Sequence, residues 1–273
     1  MTLKQVQGLM MIVLLFALSG RTFSQTDPET IPYQSTAQGS GLKDGEELFY
    51  DVYYSFINIG YAKFTTKQSI TDKNVFTCSA ILKSNDALPF VYVNYEFVSE
   101  MRVRNDSIIP QKFTALEFKE GKQSVLNYDF KYDSGFVTIF KKGFDGSTEI
   151  DKKISLATIY QDGLSIFYCV RQKSMKKTDE LIPVIMYSDS SALLFRSQLK
   201  KETVDIAEYD DVASVKVDGF EYFTAVFGLT GDFEAWFSDD AARVPLKAKL
   251  KVKIGNVTLE LNNFKRKDWK ISY

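Results

Sequence analysis

Residues 244–264 read VPLKAKLKVKIGNVTLELNNF, and this stretch decides the fold class of the chain. From Leu246 to Ile254 an apolar residue alternates with a lysine. A period of two is typical of a strand with one buried face and one face in water. After Gly255 and Asn256 the alternation resumes, with apolar residues now alternating with Thr, Glu and Asn. The stretch therefore predicts an antiparallel hairpin with a single apolar face.

The same stretch predicts a register for this hairpin. Glycine and asparagine tolerate positive φ angles, so Gly255 and Asn256 indicate a two-residue turn. With that turn Ile254 pairs with Val257, and Lys251 lies opposite Glu260. Both faces then stay consistent and one charge pair forms across the strands.

Most of the preceding chain repeats this pattern. Apolar alternation is interrupted about every 8 to 12 residues by Gly, Asn or Asp, the rhythm of an all-β sandwich, barrel or curved sheet. A break within the second half is predicted at Asp218 and Gly219. The predicted strands are residues 47–56, 61–70, 75–83, 95–104, 108–118, 122–132, 136–142, 181–188, 193–206, 212–217, 222–227 and 232–237.

The sequence predicts one helix, at residues 162–172. Asp162 is placed to accept hydrogen bonds from the first turn, and Leu164, Phe167 and Tyr168 recur at helical spacing. The segment is apolar over most of its circumference, so we expect it to pack against a sheet face. The predicted fold is all-β with a minor α component. It is a strongly curved antiparallel sheet, or an incomplete β-barrel or sandwich, with one helix packed in the concave side.

The N-terminal residues 1–24 have the features of a secretory signal peptide. Lys4 precedes an apolar run at residues 9–18, and small or hydroxyl residues follow it. The run is about half of the roughly 20 residues that a membrane span needs, and no later segment approaches that length without charge. We therefore predict cleavage near Ser24 and Gln25 and no transmembrane segment.

Cleavage leaves a leader and one domain. Residues 25–44 are rich in Ser, Thr, Gly, Pro and Gln and are predicted to be flexible, while residues 45–273 form a single β domain. The first cysteine is Cys78, far from the cleavage site, so no lipid anchor is predicted. The expected location is outside the cytoplasm, periplasmic or secreted.

The composition excludes several classes of function. The chain has 34 Lys and Arg against 35 Asp and Glu, and this balance lacks the basic footprint that nucleic acids require. It contains no histidine, which removes Ser-His-Asp and Cys-His catalysis and His-ligated metal sites. We therefore predict a protein that is not an enzyme and has no cofactor, metal or nucleic-acid partner.

The two cysteines lie in apolar stretches. Cys78 alternates with Phe76 and Ala80, and Cys169 belongs to the predicted helix. Both have the setting of buried structural residues. A bridge between them would close a long loop and stabilise the chain by ~4 to 5 kcal/mol, and the sequence leaves open whether it forms.

Three stretches together resemble an exported bacterial family called domain of unknown function 3108. They are GEEL at 45–48 with YDV at 50–52 and NIGYA at 58–62, DGLS at 162–165 with FY at 167–168 and Arg171, and residues 236–261. The resemblance covers residues 45–264. It implies an exported antiparallel β domain and brings no established reaction or catalytic residue. The fold is more distantly similar to half-open β-barrels that carry lipids or lipoproteins through the periplasm, and this similarity does not establish function.

The predicted ligand-binding residues lie on the helix and at its start. Asp162 and Arg171 lie at the two ends of an apolar segment and could form the polar mouth of a pocket, with Phe167 and the hydroxyl of Tyr168 beside it. The alternative is a helix cap, core aromatic residues and a structural ion pair. Because Asp162 and Arg171 are nine residues apart, each would need its own partner.

The predicted function is noncatalytic binding or carriage of an apolar or amphipathic ligand. The first alternative is a structural or protein-interaction domain of the cell envelope. The second is a hydrolase that uses carboxylates alone, with the pairs Asp210, Asp211 and Asp239, Asp240 as candidates, although their context is typical of turns. The predicted partners are a lipid or other apolar ligand, or an envelope protein or polymer. The lysine row of residues 247–253 could meet an anionic polymer, or it is simply a solvated strand face.

Overall fold

The computed structural model describes residues 41–88, 92–223, 231–252 and 255–273. Within these residues the chain forms fourteen strands and one α-helix, α1 (Ser165–Lys173). Before the helix lie β1 (Glu46–Tyr54), β2 (Ile57–Gln68), β3 (Val75–Ser84), β4 (Asn94–Arg104), β5 (Ser107–Lys119), β6 (Lys122–Lys131), β7 (Phe136–Lys142) and β8 (Thr148–Ser155). After it lie β9 (Thr178–Met186), β10 (Asp189–Ile206), β11 (Tyr209–Glu221), β12 (Gly231–Ser238), β13 (Pro245–Lys251) and β14 (Asn256–Lys265).

All the strands belong to one antiparallel sheet. Its order is β8-β7-β6-β5-β4-β3-β2-β1-β14-β13-β12-β11-β10-β9. Each half is a meander of hairpins, and the first and last strands join the halves at the centre. The edges β8 and β9 do not pair with each other, so the sheet is not closed into a barrel. The predicted fold class, an all-β chain with an open curved sheet and one helix, is confirmed.

Contacts between distant strands show how far the sheet curls. Tyr128 on β6 donates its hydroxyl hydrogen to the carbonyl of Tyr187, which follows β9, at 3.1 Å. Lys152 on β8 donates to the carboxylate of Asp189 at the start of β10, at 2.9 Å. The backbone of Gln161 forms a parallel bridge with Val184 of β9. The segment before the helix therefore covers part of one sheet edge.

Helix α1 packs against the inner faces of both halves of the sheet. Leu164, Tyr168 and Phe167 belong to or contact the larger apolar cluster, which draws on strands of both halves of the sheet. On another side of the helix, Cys169 belongs to a second cluster. The other buried members of that cluster are Ile182, Val184, Leu193, Phe195, Val217 and Phe237. The predicted packing of this helix in the concave side is confirmed, because its apolar residues point toward both clusters.

The predicted hairpin register is wrong. Glu260 lies opposite Lys247 instead of Lys251, and the two charges pair at 2.7 Å. Strand β13 ends at Lys251, which pairs with Asn256, and the amide of Val252 donates to the carbonyl of Gly255, so Gly255 and Asn256 do not form the turn. The shift is four residues, an even number, and the apolar residues therefore keep their face. Lys253 and Ile254 lie outside the described residues.

The strands also differ from the predicted ones at several boundaries, and two of these differences have a clear physical reason. Strand β8 has no apolar alternation and most of its residues are exposed, because it is a sheet edge. Strand β11 runs through the break predicted at Asp218 and Gly219. A Cβ at Gly219 would lie 1.9 Å from the carbonyl oxygen of Leu194, so this glycine permits close strand approach instead of a turn. Most of the predicted strand at residues 222–227 lies outside the described residues.

No disulfide joins the two cysteines, and the last residues of the predicted leader contact the β domain. Cys78 and Cys169 are both free and buried, each in a different apolar cluster. The predicted signal peptide and residues 25–40 of the predicted leader lie outside the described residues. At the end of that leader Leu42 is buried, and Lys43 pairs with Asp268 at 2.8 Å. No helix in the described part of the chain is long and apolar enough to cross a membrane.

Candidate functional site

A cavity of about 310 Å³ lies between the inner face of the sheet and helix α1. Strands from both halves of the sheet contribute to its wall, and nearly all the lining side chains are apolar. Four alanines on neighbouring or facing strands, Ala62, Ala80, Ala115 and Ala248, contribute small side chains to that wall. Because a large side chain at these positions would fill the space, the alanines create the cavity.

Aromatic residues form another part of the wall. The ring of Phe167 on the helix stacks on that of Phe64 on β2, with centroids 4.4 Å apart and planes at 11°. Phe97 and Phe113 stack on adjacent strands with centroids 6.1 Å apart. Such contacts add to the energy of burial and hold the rings in defined positions. The apolar part of the cavity is therefore preformed.

One end of the cavity is polar. Glu117 on β5 lies opposite Tyr95 on β4 and opposite Ser124 on β6, so three polar side chains form a row across the sheet. Burial, together with the hydrogen bond and the charge of Glu117, raises the pKa of Tyr95 well above its usual value. Its hydroxyl therefore stays protonated. Lys141 and Tyr187 also line the cavity, and the site as a whole is amphipathic.

Asp162 is fully buried behind this cavity and caps the helix. One carboxylate oxygen accepts hydrogen bonds from the amides of Leu164 and Ser165 at 2.8 and 2.7 Å, and the other accepts from the hydroxyl of Ser99 at 2.7 Å. Burial raises the pKa of Asp162 to about 6, although these hydrogen bonds oppose the shift. The carboxylate is committed to protein donors and does not line the cavity.

Replacing Asp162 with asparagine should change how stability depends on pH. The folded state holds the proton of Asp162 up to about pH 6, against an ordinary pKa of 3.8. Because the folded pKa is the higher one, the wild-type protein loses stability relative to the variant as pH rises from about 4 to 6. The difference between these two pKa values corresponds to roughly 3 kcal/mol in the free energy of unfolding. Urea denaturation of both proteins at pH 4, 5, 6 and 7 measures it.

The control for this experiment is Asp86→Asn, which makes the same substitution at an exposed turn position. It should show no comparable trend between pH 4 and 7. A constant stability difference between wild type and Asp162→Asn across the range would contradict the prediction.

Arg171 is held in a buried ion pair, the alternative role predicted for it, with a partner that the sequence did not identify. Its guanidinium donates to both carboxylate oxygens of Glu46 on β1, at 2.6 and 2.9 Å, and to the carbonyl of Ala242. Arg266 near the C-terminus donates to the same carboxylate at 2.6 Å. Glu46 shares the inner face with Leu48 and is 2% exposed. A charged residue at an apolar position of the alternation was the signal for this partner.

The four predicted ligand-binding residues therefore have different environments. Phe167 lines the cavity, together with Gly163 and Leu164 of the same segment. Asp162, Tyr168 and Arg171 do not line it. The hydroxyl of Tyr168 lies 3.2 Å from that of Thr66, and its side chain is buried. Asp162 and Arg171 have separate partners, and the polar row at Glu117 lies elsewhere.

The other candidate residues have structural partners. Asp240 accepts hydrogen bonds from the amides of Ala242 and Arg243 and from the indole of Trp269, and Asp239 pairs with Lys201. These contacts are those of turn residues. In the lysine row, Lys247 pairs with Glu260 and Lys251 pairs with Asp232. Among the described residues, no group of three or more Cys, Asp or Glu residues could hold a metal ion.

The described residues define an all-β domain in which one open antiparallel sheet surrounds a helix and an amphipathic cavity. Residues 50–262 match the family described as "Protein of unknown function (DUF3108)", and the chain belongs to this family. Its sheet and helix contain the motifs that carried the resemblance. In one of them, Gly60 has no room for a side chain, since a Cβ would lie 2.1 Å from the carbonyl of Lys83.

One solved structure with a similar fold is the beta-barrel-like protein of domain of unknown function DUF1849 from Brucella abortus. The TM-score is 0.54 at 9% sequence identity, and the match covers 83% of this chain and 99% of the other. At this identity the similarity concerns the fold alone. No curated protein matches the chain.

Proposed function

We propose that this protein binds or carries an apolar or amphipathic ligand in the cell envelope and does not convert it chemically. The observation that carries the proposal is the cavity of about 310 Å³ with its apolar wall and one polar end. Small-molecule sites have volumes of roughly 300 to 1,000 Å³, mostly apolar linings and a few placed polar groups. The volume is at the lower end of that range, which favours one acyl chain over a lipid with two.

The cavity also separates this proposal from its alternatives. A purely structural or protein-interaction domain has no use for an apolar space behind its helix, since filling the space would stabilise the fold. A hydrolase that uses carboxylates alone needs two of them facing one cleft. Among the described residues that line the cavity, Glu117 is the single carboxylate. The proposed location in the envelope rests on the signal-peptide features of residues 1–24.

The first test identifies the ligand directly. The full chain, purified from the compartment into which its own cell exports it, is examined by native mass spectrometry and its bound molecules are extracted. A copurifying amphiphile at close to one per chain supports binding or carriage. A protein that is free of small molecules and also binds no added amphiphile would contradict the proposal.

Filling the cavity should abolish binding without unfolding the protein. Ala115 on β5 lines the cavity and is half-buried, so Ala115→Phe places a ring in the ligand space. We expect the affinity for dodecanol, measured by displacement of a fluorescent apolar probe, to fall at least about tenfold because several buried methylene groups lose their place. The melting temperature is measured alongside.

The matched control is Val98→Phe on the adjacent strand. Val98 is 41% exposed and faces the other side of the sheet, so this variant adds the same side chain outside the cavity. Its dodecanol affinity should equal that of the wild type. Equal binding by Ala115→Phe and Val98→Phe would show that the ligand site is not this cavity.

A further inference from the structure

We propose that the head group of the ligand donates hydrogen bonds, as an amine or an alcohol does, and that Glu117 receives it at the polar end of the cavity. This inference rests on the proposed function. It adds a ligand class, amphiphiles with one chain and a cationic or neutral donating head, and disfavours the anions of fatty acids.

The first support is the charge at the polar end. Glu117 forms no ion pair with a lysine or arginine of the described residues, whereas the Lys141 ammonium pairs with Glu149 at 2.7 Å. The three groups Glu117, Lys141 and Glu149 thus have one positive and two negative charges. A carboxylate head would meet an unpaired carboxylate of the protein and a lysine that already has a partner. Like charges at such a site disfavour binding, and an amine finds its counterion there.

The second support is the balance of donors and acceptors. The hydroxyl of Ser124 donates to the carbonyl of Lys142 at 2.8 Å, which leaves its oxygen as an acceptor. Tyr95 lies directly opposite Glu117 on the adjacent strand β4. The acceptors that the cavity wall offers a ligand at this end are the Glu117 carboxylate and the oxygen of Ser124. A donating head satisfies them, and a carboxylate, which only accepts, does not.

Two lysines near the cavity have charges of the sign that would favour an anionic head group. Lys119 and Lys122 face each other across the turn that follows Glu117. Both are exposed, and neither forms an ion pair with Glu117. Exposed charges are screened by water and salt, so they influence a buried head group less than Glu117 does. The structure therefore places the decisive charge on β5, inside the cavity wall.

The test compares three amphiphiles with the same chain and different heads. Dodecylamine, dodecanol and dodecanoate are titrated into the full chain at pH 7.5, below their aggregation concentrations, by isothermal calorimetry. Dodecanol measures the contribution of the chain. We expect dodecylamine to bind at least about tenfold more tightly than dodecanoate, since hydrogen bonds to charged groups are the stronger ones. Glu117→Gln should reduce that ratio to less than about threefold.

The control is Glu100→Gln, which removes the same charge from an exposed position of β4 and should leave the ratio unchanged. Dodecanoate that binds as tightly as dodecylamine, or a ratio that Glu117→Gln leaves intact, would overturn the head-group assignment while the proposed cavity stands. If none of the three binds, the proposed function fails and this inference with it.

Discussion

Replacing Arg171 with alanine should destabilise the protein by ~3 to 5 kcal/mol. The guanidinium is completely buried, and the Glu46 carboxylate that it binds is 2% exposed. Alanine would leave Glu46 with Arg266 alone and would free the carbonyl of Ala242 from its two hydrogen bonds. Both losses occur away from water, where unpaired groups cost most. Chemical denaturation of the two proteins measures the difference.

The control for Arg171 is Arg196→Ala. Arg196 also pairs with a carboxylate, that of Asp218, but the two side chains are 42% and 44% exposed. Exposed pairs contribute about 0 to 1 kcal/mol, so this variant should be close to wild type. A loss below ~1 kcal/mol for Arg171→Ala would mean that the buried pair does not hold α1 to β1.

The same pair predicts a dependence on pH. Burial disfavours the Glu46 carboxylate, but the charges and hydrogen bonds of Arg171 and Arg266 outweigh it, and the pKa of Glu46 lies below the usual 4.5. Because the folded pKa is the lower one, this stabilisation is complete above about pH 4.5 and is lost as pH falls through the folded pKa. The difference between Arg171→Ala and wild type should therefore narrow in acid.

Phe195→Ala should be about as damaging, at ~3 to 5 kcal/mol. Phe195 lies on β10 with no exposed surface, in the second apolar cluster, which Cys169 of the helix joins. Removing the ring leaves a cavity between the helix and the C-terminal half of the sheet. Strands β9 and β11 are hydrogen-bonded to the two sides of β10, so the sheet cannot collapse into this cavity. Denaturation in urea measures the loss.

Leu181→Ala on the adjacent strand β9 is the control for Phe195. Leu181 is 59% exposed, and its truncation should cost less than ~0.5 kcal/mol. If Phe195→Ala and Leu181→Ala change stability equally, the second cluster does not secure the helix, and the helix is free to act as a lid.

Alternation identified the strands well where one face is wet and the other is buried. The predicted strands at 75–83 and 136–142 differ from β3 and β7 by at most one residue at an end. Alternation failed where that difference between faces is absent. Strand β8 is exposed on an edge, so its sequence TEIDKKIS has no apolar face to reveal it. The sequence predicts a turn at Gly219, because sequence alone does not distinguish a turn glycine from one that lets a neighbouring strand approach closely.

Some parts of the candidate site could likewise be predicted from the sequence, and others could not. The helix and its cap at Asp162 could be predicted because both depend on neighbours in sequence. The partner of Arg171 could not, because Glu46 lies 125 residues away and meets it only when β1 and α1 pack together. The sequence also did not identify Glu117 as a site residue, although it follows Phe113 and Ala115 on the inner face of β5. A charged residue at an apolar position of the alternation indicates that its side chain is buried. It does not identify the residue that pairs with it.

By itself the sequence determined most of the strands and their faces, the single helix and its apolar character, because periodicity and capping depend on near neighbours. Tertiary structure alone decided the hairpin register, since every even shift of β13 keeps the same faces and only the packing of β14 between β1 and β13 selects one. It also decided the cavity. Four alanines leave empty space only when the curl of the sheet brings their strands around one helix.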